Sequence, residues 1–113
     1  MDGNTRGQIA ESDWKLWRVL SKEALERHCQ KTLTEAASLE KGGDSAHARY
    51  LKLYRLLQRR DQEIADVFND PRRSRAYLQI ALAVRSRIIT RAELARFSEN
   101  TQEVVEGLAD AGG

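Results

Sequence analysis

The chain has 113 residues, 19 Lys and Arg against 17 Asp and Glu for a formal charge of +2, and is 41% hydrophobic and 32% charged with a single proline. That length fits one domain, which buries roughly two-thirds of its unfolded surface, and the composition excludes collagen-like, low-complexity and disulfide-framed chains. The longest apolar run, Ile80-Ala81-Leu82-Ala83-Val84, falls far short of the roughly 20 residues that span a membrane.

The first residues hold Gly3, Asn4 and Gly7 with little apolar content, so a flexible N-terminal arm is expected over 1–11. They contain no apolar h-region, so no signal peptide is expected. Ser12 can cap a helix starting near Asp13, an acid that suits the first turn. Trp14, Trp17, Leu20, Ala24, Leu25, Cys29, Leu33 and Ala36 then recur at three- and four-residue steps, the period of an amphipathic helix over about 13–41. Gly42-Gly43 ends it, glycine being tolerant of the left-handed conformation that follows a helix.

A second stripe, Tyr50, Leu53, Tyr54, Leu57, Ile64 and Phe68, predicts a helix over about 45–68 that starts at Asp44 or Ser45. Asn69-Asp70-Pro71 punctuates the chain, with Asp70 suited to an N-cap and Pro71 to the first helical position. The third helix is expected over about 71–88. Its apolar residues, Ala76, Tyr77, Leu78, Ile80, Ala81, Leu82, Val84 and Ile88, cover most of the circumference and leave a narrow strip of Arg72, Arg75, Gln79 and Ser86, with Ala83 among them. A helix of that kind is surrounded by others and is expected to be the hub.

Thr90 and Glu93 have capping-box spacing, with Ile89 placed to staple to Leu94, which predicts a short helix over 91–97. Ser98 can cap a last helix over 99 to about 109, with Val104, Val105 and Leu108 on its apolar face. The fold class is therefore all-α: a single small bundle of three main helices, up-down-up, with two short C-terminal helices packed on it. The helical domain is expected over 12–109, with 110–113 frayed.

Charge is segregated along the chain. Residues 69–97 carry seven arginines against Asp70 and Glu93, whereas 98–113 carry four acids and no base. Such blocks act locally, because potentials are screened within about 10 Å at 0.1 M salt, and the acidic tail is expected to lie against the basic segment. Arg72, Arg73 and Arg75 crowd a helix start where the dipole favours anions. Either nearby acids pair with them, Arg73 facing Asp66 with Glu63 and Asp70 close, or they form with Arg87 and Arg91 an anion or partner surface. A helix–turn–helix reader would present such a helix to the major groove, but the wide apolar arc leaves the third helix little surface for that.

Trp14 and Trp17, one turn apart, are read first as core anchors and second as a protein-docking patch. Asp61 falls inside the stripe Leu57, Asp61, Ile64, Phe68, spaced 4, 3 and 4. A buried charge needs a partner, and folding the first two helices about Gly42-Gly43 brings Asp61 within about a turn of His28. The expected pair is His28–Asp61, or else Asp61 meets an arginine. Cys29, the one cysteine, cannot form an internal disulfide, which fits a reducing cytosol, and reads as a small buried hydrophobe. His28 and Cys29 point about 100° apart and cannot share a metal as an i,i+4 pair does. No phosphate loop, dinucleotide fingerprint, GxSxG or paired-carboxylate constellation is present. The reading therefore assigns no catalytic, cofactor-binding or metal residue.

Three segments, Ala24-Leu25-Glu26-Arg27-His28-Cys29, Arg59-Arg60-Asp61 with Phe68-Asn69-Asp70-Pro71-Arg72-Arg73-Ser74, and Leu94-Ala95-Arg96-Phe97-Ser98, together resemble a group of short bacterial proteins without an established activity. The resemblance implies a bacterial cytoplasmic protein and carries no catalytic residue across. The expected function is a non-catalytic protein–protein interaction module, by self-association or with a protein partner. The alternative is a nucleic-acid-associated protein using the arginines around the third helix.

Overall fold

The computed structural model describes residues 8–111. Of the arm expected over 1–11 and the fraying expected over 110–113, residues 1–7 and 112–113 lie outside the described residues, and 110–111 belong to the last helix. The described chain is all-α, with no strand: α1 Glu11–Glu40, α2 Ala46–Phe68, a 3-10 turn Arg73–Arg75, α3 Ala76–Arg85, α4 Arg91–Leu94 and α5 Glu99–Ala111. No helix among the described residues is long and apolar enough to cross a membrane.

The chain is ordered earlier than its composition suggests. Ile9 is buried in the core, and its carbonyl accepts from Arg73 Nε and Nη2 at 3.2 and 3.0 Å. Residues 8–11 are thus anchored and do not extend the arm. Ser12 does not cap α1, whose cap residue is Ala10 without a side-chain bond. Asp13, one turn in, is buried and reaches across the fold. Its Oδ1 accepts from the Ser98 backbone N–H at 3.1 Å, and its Oδ2 accepts from the Ser98 and Thr101 hydroxyls at 2.6 Å each. The α5 N-terminus leaves backbone donors without intrahelical partners, and a carboxylate from the far end of the sequence fills part of that need.

α1 and α2 form an antiparallel hairpin. The link at Gly42 and Gly43 needs no left-handed glycine, since no described glycine has positive φ. Ser45 accepts from the Ala48 N–H at 3.1 Å and starts α2. The third helix departs most from expectation. Proline at 71 disfavours the right-handed region for the residue before it. Asp70 takes φ 53° and Arg72 is extended, so α3 proper begins at Ala76 rather than 71. Asp70 is therefore no N-cap; its carboxylate accepts from Arg72 Nε at 2.8 Å.

The far end of α3 is also earlier than the expected 88. Ile88 N donates to Ala83 O at 2.8 Å and Arg87 N to Val84 O at 3.1 Å, the bond pair of a Schellman stop. Arg87 stands at its left-handed position with φ 59°.

The hub expectation holds in outline. Ala76, Ile80, Ala81 and Ala83 are buried, and α3 packs against α5, α2 and α1. The polar strip does not hold. Gln79 and Ala83 are wholly enclosed, while Leu78 is exposed. Gln79 is drawn inward because its Nε2 donates to the Asn69 and Asp70 carbonyls at 3.0 and 3.4 Å, tying down the turn after α2. The capping box is present as expected: Thr90 Oγ1 accepts from Glu93 N at 3.0 Å, and Glu93 Oε1 accepts from Thr90 N at 2.8 Å. α4 is a single turn, and α5 runs two residues past the expected 109, to Ala111.

Two stability predictions follow from these contacts. Arg87→Gly removes the side chain that disfavours the left-handed stop and is expected to stabilise the fold by about 1 kcal/mol, measured by urea unfolding. Asp13→Ala leaves the buried hydroxyl of Thr101 and the Ser98 N–H unmatched and is expected to cost about 3 kcal/mol in the same measurement.

Candidate interaction surface

Ten residues of α3 cannot accompany the 30 of α1 and 23 of α2 along their length. At 1.5 Å per residue the third layer is about 15 Å long, against about 45 Å for α1. The molecule is accordingly elongated, 61 × 25 × 24 Å. The hairpin projects beyond the body as an arm of two helices, and between residues 29 and 64 only Thr32 and Leu56 are buried.

The two helices of the arm are joined by polar rungs. His28 Nε2 lies 3.0 Å from Glu63 Oε1. Arg60 Nη2 donates to both oxygens of Glu35, at 3.0 and 2.9 Å, and its Nη1 lies 3.6 Å from Glu63 Oε1. Nearer the tip, Arg49 Nη1 donates to the Glu40 carbonyl at 2.6 Å, and Lys52 pairs with Asp44. The expected His28–Asp61 pair is thus corrected. His28 is buried but faces Glu63, and Asp61 is exposed. The hairpin register sets Glu63, not Asp61, against His28. Asp61 points outward with the stripe to which it belongs.

That stripe is the main surprise of the arm. Tyr50, Tyr54 and Leu57, expected to face the core, are 57, 55 and 47% exposed, and Leu33 on α1 is 63% exposed. Tyr54, Leu57 and Leu33, with Cys29 and Ile64, line an open groove of about 540 Å³ that also holds Asp61. The residues 50, 54, 57, 61, 64 and 68 step by 4, 3, 4, 3 and 4, the spacing of a coiled-coil seam with one charged member. This repeat is the signal in the sequence of an apolar side along α2. Its inner portion, Phe68, packs on the core, whereas Tyr50, Tyr54 and Leu57 farther out are exposed, the Tyr50 ring lying 6.4 Å from that of His47.

The other candidate residues lie elsewhere. Trp17 is buried in the core, as an anchor would be, and Trp14 packs beside it. Together they line a second concavity, of about 470 Å³, with Arg18, Lys22 and Gln79. Of the arginines, Arg73 Nη1 donates to Glu11 at 2.6 Å rather than meeting Asp66. Arg72 and Arg75 reach Asp70, at 2.8 and 4.0 Å, and Arg91 lies 3.6 Å from Glu106 on the acidic tail. Arg87 is exposed beyond α3. Four of the seven arginines of residues 69–97 thus stand beside three acids of their own chain, Arg72 and Arg75 sharing Asp70.

Arg27, unremarked from sequence, forms the best-defined ion pair. Its guanidinium donates to both Glu93 oxygens, at 2.8 and 2.9 Å, and to the Ile88 carbonyl at 2.7 Å. It holds the Glu93 carboxyl below its usual range. Among the described residues no group of three or more His, Cys, Asp and Glu could hold a metal ion. The groove contains Asp61 but not His28, so the two are not assembled around a common opening.

No known protein family, curated protein or solved structure matches the chain.

The Glu93 pair makes stability depend on acid. Folded Glu93 stays ionised to lower pH than its unfolded counterpart, whose ordinary value is 4.5. The contribution is therefore complete above that value and is lost as pH falls through the depressed folded one. Glu93→Gln is expected to flatten the decline of the melting temperature below that pH relative to wild type, as followed by circular dichroism.

Proposed function

We propose that the chain is a non-catalytic protein–protein interaction module of a bacterial cytoplasm that docks through the open face of the α1–α2 arm. The observation that carries this reading is the uncovered apolar seam of Tyr50, Tyr54 and Leu57 with Leu33 beside it. Solvent-facing apolar side chains occurring singly need no explanation. A continuous row at seam spacing, edged by polar residues, does. Its aromatic residues suit an interface, where tyrosine is enriched.

Charge favours a protein over a nucleic acid as the partner. Residues 29–64 carry seven Lys and Arg against five acids, and the groove's only charged members are Arg60, engaged with Glu35, and Asp61. Phosphate binding draws on clusters of available cations. Arg72, Arg73, Arg75 and Arg91 are instead matched with carboxylates, which lowers the standing of the nucleic-acid alternative. The bacterial cytoplasmic setting rests on the resemblance and on the single cysteine.

Photo-crosslinking in cells that make the full chain tests the reading. A photoreactive residue at Leu33 is expected to give a discrete protein adduct, whereas one at Glu103 on α5 is not. Absence of an adduct from Leu33, or binding of generic DNA or RNA that persists at physiological salt, would overturn it.

A further inference from the structure

We propose that the concavity bounded by the first half of α1, the end of α2 and Gln79 of α3 is a binding site for a small aromatic carboxylate that carries a ring N–H. It lies on the body of the molecule, uses none of the arm's open face and is independent of the docking reading above.

The polar group of the lining supplies the first observation. Gln79 lines the concavity and is fully enclosed. Its Nε2 donates to the Asn69 and Asp70 carbonyls at 3.0 and 3.4 Å. Turning the amide over would set its oxygen against two carbonyl oxygens, so its orientation is fixed, with Oε1 on the side away from the 69–70 turn. Among the described residues that buried oxygen has no hydrogen-bond partner. Buried acceptors of this kind are rare in folded chains and call for a reason. A donor brought into the concavity supplies the missing partner.

The walls supply the second. Trp14, Trp17, Phe68 and Pro71 line the space and offer apolar, largely aromatic surfaces against which a planar ring packs. Trp17 is held in the core, but Trp14 and Phe68 are only partly buried at its edge. They are the walls with room to part, as they must for a ligand to reach an oxygen that solvent does not touch. The volume, about 470 Å³, falls within the roughly 300–1,000 Å³ of small-molecule sites, and an apolar enclosure with very few polar groups is their usual plan.

The rim supplies the third. Arg18 and Lys22 lie about one turn apart on α1, both exposed, and no acid lines the concavity. A cationic mouth attracts an anion. A carboxylate there, a flat ring between the aromatic walls and an N–H turned to Gln79 satisfy all three features together. Inorganic phosphate would use the rim and leave the walls and the amide idle. A peptide chain would bring several backbone groups to a lining with one acceptor to offer. A ring N–H suits that acceptor because it donates without carrying a lone pair of its own into the apolar space.

The test follows heteronuclear correlation spectra of the isotope-labelled full chain as indole-3-acetate is added to about 10 mM, well above a millimolar dissociation constant. Saturable movement of the Gln79 side-chain amide and of the Trp14 and Trp17 indole signals is expected. 1-Methylindole-3-acetate, which lacks the N–H, is expected to bind about 10-fold more weakly through loss of one hydrogen bond. A chain carrying both Arg18→Glu and Lys22→Glu is expected to bind indole-3-acetate at least about 10-fold more weakly with unchanged helical circular dichroism, since both side chains are exposed. The proposal is overturned if no signal saturates in that range, or if the signals that move are those of Leu33 and Tyr54 in the arm's groove. Equal affinity for the two probes overturns the role of Gln79, and an unchanged affinity in the double variant overturns that of the two cations.

Discussion

The length of the third layer governs this molecule. α3 has ten residues because proline and a left-handed aspartate delay its start, and a Schellman stop at Arg87 ends it. A helical hairpin needs an apolar neighbour along its whole length to bury a full stripe on each helix. Here the neighbour covers only the end where α1 begins and α2 finishes. That end holds the buried core, and beyond it is a two-helix arm with one side uncovered.

The enclosed end is held by contacts between residues far apart in sequence. Asp13 joins the first turn of α1 to the start of α5, Arg73 joins the approach to α3 to the Ile9 carbonyl and Glu11, and Arg27 joins mid-α1 to the α4 capping box. Each of these polar groups satisfies a helix end or a chain-terminal backbone group that packing alone leaves without a partner. α4 is a single turn, and it and the 13-residue α5, longer than α3, are held by these ties as well as by Leu94, Phe97 and Val105.

The sequence displayed the elements better than their surroundings. Helical periodicity, the Ser45 cap and the Thr90–Glu93 box are local signals, and each stands where the local rules put it. Helix three ran short because Asp70-Pro71 has two local solutions. An N-cap fits the dipeptide, but so does a left-handed turn, and the choice was made by Gln79 reaching the Asn69 and Asp70 carbonyls from nine and ten residues downstream. The roles of Asp13, Arg27 and Glu63 could not be read, because their partners lie 85, 66 and 35 residues away. The α2 stripe was legible, but its direction was not: periodicity identifies an apolar side without saying whether the same chain covers it.

The arm places much of its polar contact inside and much of its apolar surface outside. Its two helices enclose Leu56 and meet through Arg60 with Glu35, His28 with Glu63 and Arg49 with a carbonyl, whereas Tyr50, Tyr54, Leu57 and Leu33 face outward. Partly exposed ion pairs contribute about 1 kcal/mol or less each, so they fix which residues stand opposite one another more than they hold the helices together. Such an arm is correctly aligned but weakly braced, and elements of that kind are the ones that open locally. Covering the groove would both bury the apolar seam and withdraw water from the adjoining rungs, where a lower local dielectric strengthens each hydrogen bond. Alignment and cohesion are thereby divided: the polar rungs within one hairpin set the register of its helices, and the seam on its outer face supplies the apolar area that a two-layer arm cannot bury against itself.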